Sequence, residues 1–96
     1  MLELEKLRLR LSRAALSIPL NIAEGNGRWH VGDKRQFFWI ARSSVFECIP
    51  IFEILRFNEV ITDGEKFQLR GPLEILGEML TRLIQVYIES RLEISN

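Results

Sequence analysis

Cysteine and histidine occur once each in the 96-residue sequence, as Cys48 and His30. An intramolecular disulfide is therefore impossible, and a structural zinc site made from Cys and His alone is ruled out within one chain. Long apolar runs are missing too. The longest, Phe37 to Ala41, is five residues, against the ~20 needed to cross a bilayer. Residues 1–11 mix Glu3, Glu5, Lys6, Arg8 and Arg10 among leucines, which is not the apolar stretch of a secretory signal. Charge of one sign is absent: thirteen Lys and Arg balance thirteen Asp and Glu. That argues against a surface that is cationic throughout and built for nucleic acid or acidic lipid. The expectation is a cytoplasmic protein with a reduced thiol, no membrane segment and no cofactor.

What the sequence has is helical periodicity. At 47% hydrophobic and 27% charged residues it is globular in composition, and its length fits one domain, residues 1–96. In the first segment Leu4, Leu7, Leu11, Ala14, Ile18 and Ile22 step by three or four residues, as one helix face requires. Pro19 lies inside it and predicts a kink near Ala15–Pro19. Gly25-Asn26-Gly27 should end this helix, glycine being suited to the left-handed closing position. Asp33 with Gln36 resembles a capping box for a second helix, along which Phe38, Ala41, Val45, Cys48, Phe52 and Leu55 keep the spacing. Pro50 predicts a second kink.

Asn58 to Gly64 reads as the next connection, with Thr62 and Glu65 as another capping box. Beyond it Leu69, Leu73, Leu76, Leu80, Leu83 and Tyr87 repeat by four and three. Gly71-Pro72 should split off a short piece before a main helix running to about Leu92. No repeat, low-complexity stretch or long linker divides the chain. The fold class is all-α, an antiparallel helical bundle.

Apolar residues outnumber the positions that three such stripes can bury. The surplus is Phe37, Trp39, Phe46, Ile49, Ile75, Met79, Ile84, Val86 and Ile88, more exposed apolar surface than a monomer tolerates. A homo-oligomer follows as the expectation; singly exposed residues are the blander reading.

Two stretches carry a resemblance. Ser17-Ile18-Pro19-Leu20-Asn21-Ile22-Ala23-Glu24-Gly25, followed by Arg28, resembles the S-x-P-x-N-I-A-E-G-x-x-R signature of the four-helix-bundle proteins of the 23S rRNA intervening-sequence family. Phe37-Phe38-Trp39-Ile40-Ala41-Arg42-Ser43-Ser44 with Glu47 is similar to that family's second block. Residues 79–84 look like its final helix. The resemblance implies a four-helix protomer assembled as a homopentamer, with no established enzymatic activity. Some members lie in insertions within bacterial 23S rRNA genes. Others are accessory variability proteins of diversity-generating retroelements, whose basic pentamers bind a reverse transcriptase and nucleic acid.

Three departures set expectations of their own. The family pattern has another amphipathic helix ahead of the N-I-A-E-G helix, whereas this sequence starts almost at the latter. A groove which that helix would cover should then be open, filled by a neighbouring chain or prone to aggregation. Ser43 stands where the second block has a small glycine, in a position expected to be close-packed. The neutral net charge differs from the strongly basic retroelement members.

Charge is nevertheless uneven. From Lys6 to Arg42 there are eight bases against two acids, a local net charge of +6; from Glu59 onward seven acids face four bases, a local −3. Arg8, Arg10, Arg13, Arg28, Trp29, Lys34, Arg35 and Arg42 form the candidate nucleic-acid-binding set, cations for phosphate and an indole to stack on a base. Solvated helix faces and complementary subunit contacts are the blander reading, and Trp29 plugging a neighbouring subunit is preferred to stacking.

Ser17, Pro19, Asn21, Glu24, Gly25, Arg28 and Glu47 form the structural motif. Asn21 should cap or cross-link helices, and Glu24 should pair with Arg28 or Arg42. No Glu-x-x-His pair, nucleophile–base pair or phosphate-cradling loop is legible. His30 is expected to face solvent and Cys48 to pack in the core. The reading is a non-enzymatic oligomeric scaffold or interaction module with no small-molecule substrate. The alternative is an RNA- or DNA-binding accessory protein, partner of a retroelement reverse transcriptase.

Overall fold

The chain winds into three helices, α1 (Leu2–Gly27), α2 (Val31–Phe57) and α3 (Asp63–Ser95), in a computed structural model that describes residues 2–95 and the side chains of residues 3–89. No strand occurs among the described residues. The side chains of Arg91 and Glu93, counted in the charge balance above, lie outside the described residues. α2 is the middle of a row, with α1 on one side and α3 on the other; α1 and α3 do not approach each other closely. The fold is therefore an all-helical antiparallel layer of three helices. Its extents are 54 × 23 × 14 Å and its radius of gyration 15.9 Å, against ~12–13 Å for a compact chain of this length.

The inner stripes read from the sequence meet as one core. Ala14 and Ile18 of α1, Phe38, Ala41, Val45, Cys48 and Phe52 of α2, and Leu80 and Ile84 of α3 are buried together. Ile84 thus belongs to the core and not to the surplus, because it lies one turn beyond Leu80 on the same face of α3. Leu11, Ile22, Leu55, Leu73, Leu76, Leu83 and Tyr87 are only partly buried around this core. The Cys48 thiol is pushed above its usual range, chiefly by burial and secondarily by the neighbouring Glu47 charge, so it packs as a small apolar group.

All three prolines sit inside unbroken helices. Neither Pro19 nor Pro50 interrupts its helix, and Gly71-Pro72 does not divide α3. Each proline is exposed, so the carbonyl that loses its intrahelical donor faces the solvent side and can be satisfied by water.

The first connection is closed differently from expectation. α1 runs to Gly27, and no glycine takes a positive φ; instead the Lys34 ammonium donates to the Gly25 and Asn26 carbonyls at 3.4 and 3.0 Å. A cation thus satisfies the helix end that a left-handed glycine was expected to close. α2 begins at Val31, and its N-cap His30 makes no side-chain cap; the Asp33–Gln36 pair falls inside the helix. The Thr62–Glu65 box is formed as expected. Thr62 N–H donates to Glu65 Oε1 at 2.9 Å, and Glu65 N–H donates to Thr62 Oγ1 at 3.1 Å.

At the end of α2 the left-handed residue is Glu59, with φ 60°. Val60 N–H donates to Leu55 O (2.9 Å) and Glu59 N–H to Arg56 O (3.0 Å), the paired bonds of a Schellman closure. A residue bearing Cβ is strained there by about 1–2 kcal/mol relative to glycine. Glu59→Gly should therefore raise the unfolding free energy by about 0.5–1 kcal/mol after the entropy cost of glycine. Denaturant titration checks this, and a loss of stability would contradict the left-handed assignment.

Candidate interaction surface

The Ser17–Gly25 motif works as a helix-packing device. Asn21 Nδ2 donates to Ser17 O and Ser17 Oγ at 2.8 and 2.9 Å, so it bonds within α1 and not across helices. The cross-link is made one step further on, where buried Ser44 of α2 donates from Oγ to Ser17 Oγ at 2.8 Å, with Ile40 O as a second acceptor at 3.1 Å. No buried side-chain N or O among the described residues lacks a partner, as a polar link in an apolar seam requires.

Gly25 completes the motif. A Cβ placed there would stand 2.8 Å from Phe38 Cε1 and 3.1 Å from Phe37 Cβ, so its absence lets α1 and α2 close together. Glu24 pairs with Arg28 at 3.2 Å and Glu47 with Arg10 at 3.8 Å. Pro19 is exposed on α1. In the second block the close-packed small residue is Ser44; Ser43 is exposed, because the 100° step between neighbours turns it away from α1.

The candidate cations are spread along the molecule rather than gathered. Arg8 pairs with Glu5 at 2.9 Å, and this bond first, then the charge, holds the exposed Glu5 carboxyl below its usual range. Lys34 caps α1. Arg28 also lies over the Phe37 ring at 4.7 Å. Arg42 lies over Trp39 and Phe46, 5.2 and 4.7 Å from their centroids, while its Nε donates to Thr81 Oγ1 at 2.7 Å. It links α2 to α3. Arg13 and Arg35 make no ion pair with the described residues. Trp29 is 91% exposed at the tip of the α1–α2 hairpin, beside exposed His30.

What converges on one surface is apolar. Trp39, Phe46, Ile54 and Phe57 of α2 are 45%, 45%, 42% and 85% exposed, and their spacings of seven, eight and three residues put them on the side of α2 away from its core stripe. Small or compact Ser43 and Pro50 lie between them. Leu9, Leu16 and Leu20 on α1 and Ile75, Met79 and Val86 on α3 are exposed as well. Trp39 and Phe46 belong to the surplus expected from the sequence, whereas Phe57 and the α1 leucines do not. Their signal was a second heptad-like stripe, half a turn from the first. Among the described residues no group of three or more His, Cys, Asp or Glu side chains could hold a metal ion. No described helix is long and apolar enough to cross a membrane.

No curated protein and no solved structure gave a significant match to the chain. The family model described as the 23S rRNA-intervening sequence protein matches residues 2–82, from the start of α1 through the core-facing turn of α3 that holds Leu80. It therefore includes the Ser17–Gly25 packing motif, the Ser17–Ser44 link and the Arg42–Thr81 link between α2 and α3. The chain belongs to the 23S rRNA-intervening sequence protein family.

Proposed function

We propose that the chain is a non-enzymatic, homo-oligomeric helical scaffold or interaction module of the bacterial cytoplasm. The observation that carries this is the number of large apolar side chains left exposed along all three helices, on a layer only 14 Å deep in its thinnest Cα extent. Surface of that kind is the mark of a protein that buries it against partners. The family resemblance favours five copies. Size-exclusion chromatography with light scattering and 260/280 nm absorbance tests the reading. A mass near five protomers with a protein-like ratio is the expected result, and a monomer at all concentrations overturns it.

The second reading is an RNA- or DNA-binding accessory subunit, partner of a retroelement reverse transcriptase. In its favour stands Trp29, solvent-exposed beside Arg28 and near Arg35. Against it stand the internal partners of Arg8, Arg10, Arg28, Lys34 and Arg42. A nucleic-acid-like absorbance ratio that collapses at high salt, and that is lost in the Arg28→Ala, Lys34→Ala, Arg35→Ala triple variant, would put this reading first.

A further inference from the structure

α1 and α3 are the two edges of the layer: each packs on α2, and they do not approach each other closely. Each therefore has a far side with no helix against it. Ala14, Ile18 and Gly25 are buried on α1, as are Gly77, Leu80 and Ile84 on α3. At 100° per residue, Leu9, Leu16 and Leu20 of α1 and Ile75, Met79 and Val86 of α3 lie at least ~100° round their helices from those buried residues. All six are 46–61% exposed. We propose that these edges are the two halves of one joint: the α1 edge of each copy packs on the α3 edge of the next, so that copies join head to tail and close into a ring. The proposal rests on the homo-oligomeric reading and names the surfaces that reading needs.

Three observations point to a second copy as what covers each edge. The first is a shared pattern. With Arg13 and Arg82 included, the stripes run 9, 13, 16, 20 and 75, 79, 82, 86, the same four-three-four spacing. Each is ~16 Å long at 1.5 Å per residue, and this is the heptad spacing with which side-by-side helices interlock. The second is height. Ser44 meets Ser17 on the α1 side of α2, while Arg42, two residues away, meets Thr81 on the α3 side. Leu16 and Met79, each within two residues of those contacts, therefore stand at about the same level. Cyclic symmetry sets every copy at one height, so the two stripes meet without an axial shift.

The third is charge. Beside the α1 stripe the residue with no ion pair among the described residues is Arg13; beside the α3 stripe they are Glu78, Arg82 and Glu89, two acids against one base. Pairing α1 with α1 would set Arg13 against Arg13, whereas pairing unlike edges brings opposite net charges together. The joint is thus heterologous, which generates a ring when the rotation closes and suits an odd number of copies such as five. The tilt of the α1 edge favours closure. Leu9, Leu16 and Leu20 lie opposite Ile18, which faces the core, so they are turned toward the outer face of α2 and each added copy bends the layer that way.

The test uses the full chain as wild type, the Leu16→Glu variant of the α1 edge, the Met79→Glu variant of the α3 edge, and an equimolar mixture of the two variants. Each is followed by light scattering across a dilution series, with far-UV circular dichroism as the folding check. Every joint needs one edge of each kind, so either variant alone should fall from the wild-type mass to that of one chain. In the mixture the intact α3 edge of the first variant meets the intact α1 edge of the second, and both outer ends are blocked. The mass should therefore rise to two chains and stop. Leu20→Glu and Val86→Glu, at residues 55% and 53% exposed, repeat the design if either first variant loses helicity. Wild-type mass kept by either single variant, a mixture that stays at one chain, or a mixture that regains the wild-type mass would overturn the joint while leaving the oligomer intact. A wild-type chain that is monomeric throughout would overturn the homo-oligomeric reading as well.

Discussion

Phe38→Ala should lower the unfolding free energy by about 3–5 kcal/mol, the range for removing a fully packed aromatic from a core. Phe38 is buried to 2% exposure and joins all three helices. It stands against Gly25 of α1, and its ring stacks on Tyr87 of α3 with centroids 5.7 Å apart and an interplanar angle of 22°. Truncation removes the transfer term for the ring and opens a void between helices that cannot all collapse at once. The loss is a large part of the 5–15 kcal/mol that holds a typical domain together. Denaturant titration should be run at one protein concentration, since association contributes to apparent stability. Phe67→Ala is the control: Phe67 is 79% exposed, and its loss should change stability by less than about 0.5 kcal/mol. A change at Phe38 no larger than the control's would mean that the three helices do not share this residue as their centre.

The part of this architecture that depends on local pattern was legible in the sequence. Three helices follow from three- and four-residue spacing, and their inner stripes supply the core almost residue for residue. The Thr62–Glu65 cap is readable because both of its bonds lie within four residues. Features that depend on how one helix registers against another were not legible. Nothing in the sequence says that Ser17 meets Ser44, because the register between α1 and α2 is set by the length of a hairpin in which the start of α2 was placed a few residues too late. The family pattern put the small, close-packed position at Ser43 when it is Ser44, and Ile84 was left outside the core although it lies one turn beyond Leu80 on the same face of α3. Gly71-Pro72 was over-read as a break: Pro72 lies on an exposed face, where water can replace the lost donor and α3 continues. The outer stripe of α2 was half-visible as surplus hydrophobicity. Its coherence as one face emerges only once α1 and α3 are known to take the two flanks.

Gly25→Ala is the substitution for which helix propensity and packing predict opposite signs. Within a helix, replacing glycine by alanine raises stability by about 0.5–1 kcal/mol, through the lost flexibility of the unfolded chain. Gly25 lies in the last turn of α1 and its φ is not positive, so propensity alone predicts a gain. Packing predicts a loss. The new methyl would stand 2.8 Å from Phe38 Cε1, and Phe38 cannot swing aside, since it is buried and held against Tyr87. The Phe37 Cβ at 3.1 Å is fixed to the α2 backbone and yields no better. Overpacking of this kind costs about 1–3 kcal/mol, so the net result should be destabilisation of about 1–2 kcal/mol. Gly64→Ala gives the contrast. Gly64 is in the first turn of α3, also without a positive φ, and the nearest atom a Cβ would meet is Thr62 Oγ1 at 3.9 Å. It should stabilise the fold by up to about 1 kcal/mol. Opposite signs at the two glycines, read by thermal or denaturant unfolding, would establish that the glycine ending the N-I-A-E-G run is there to let two helices touch. A gain in stability at both would mean that α1 and α2 do not pack this closely at Gly25.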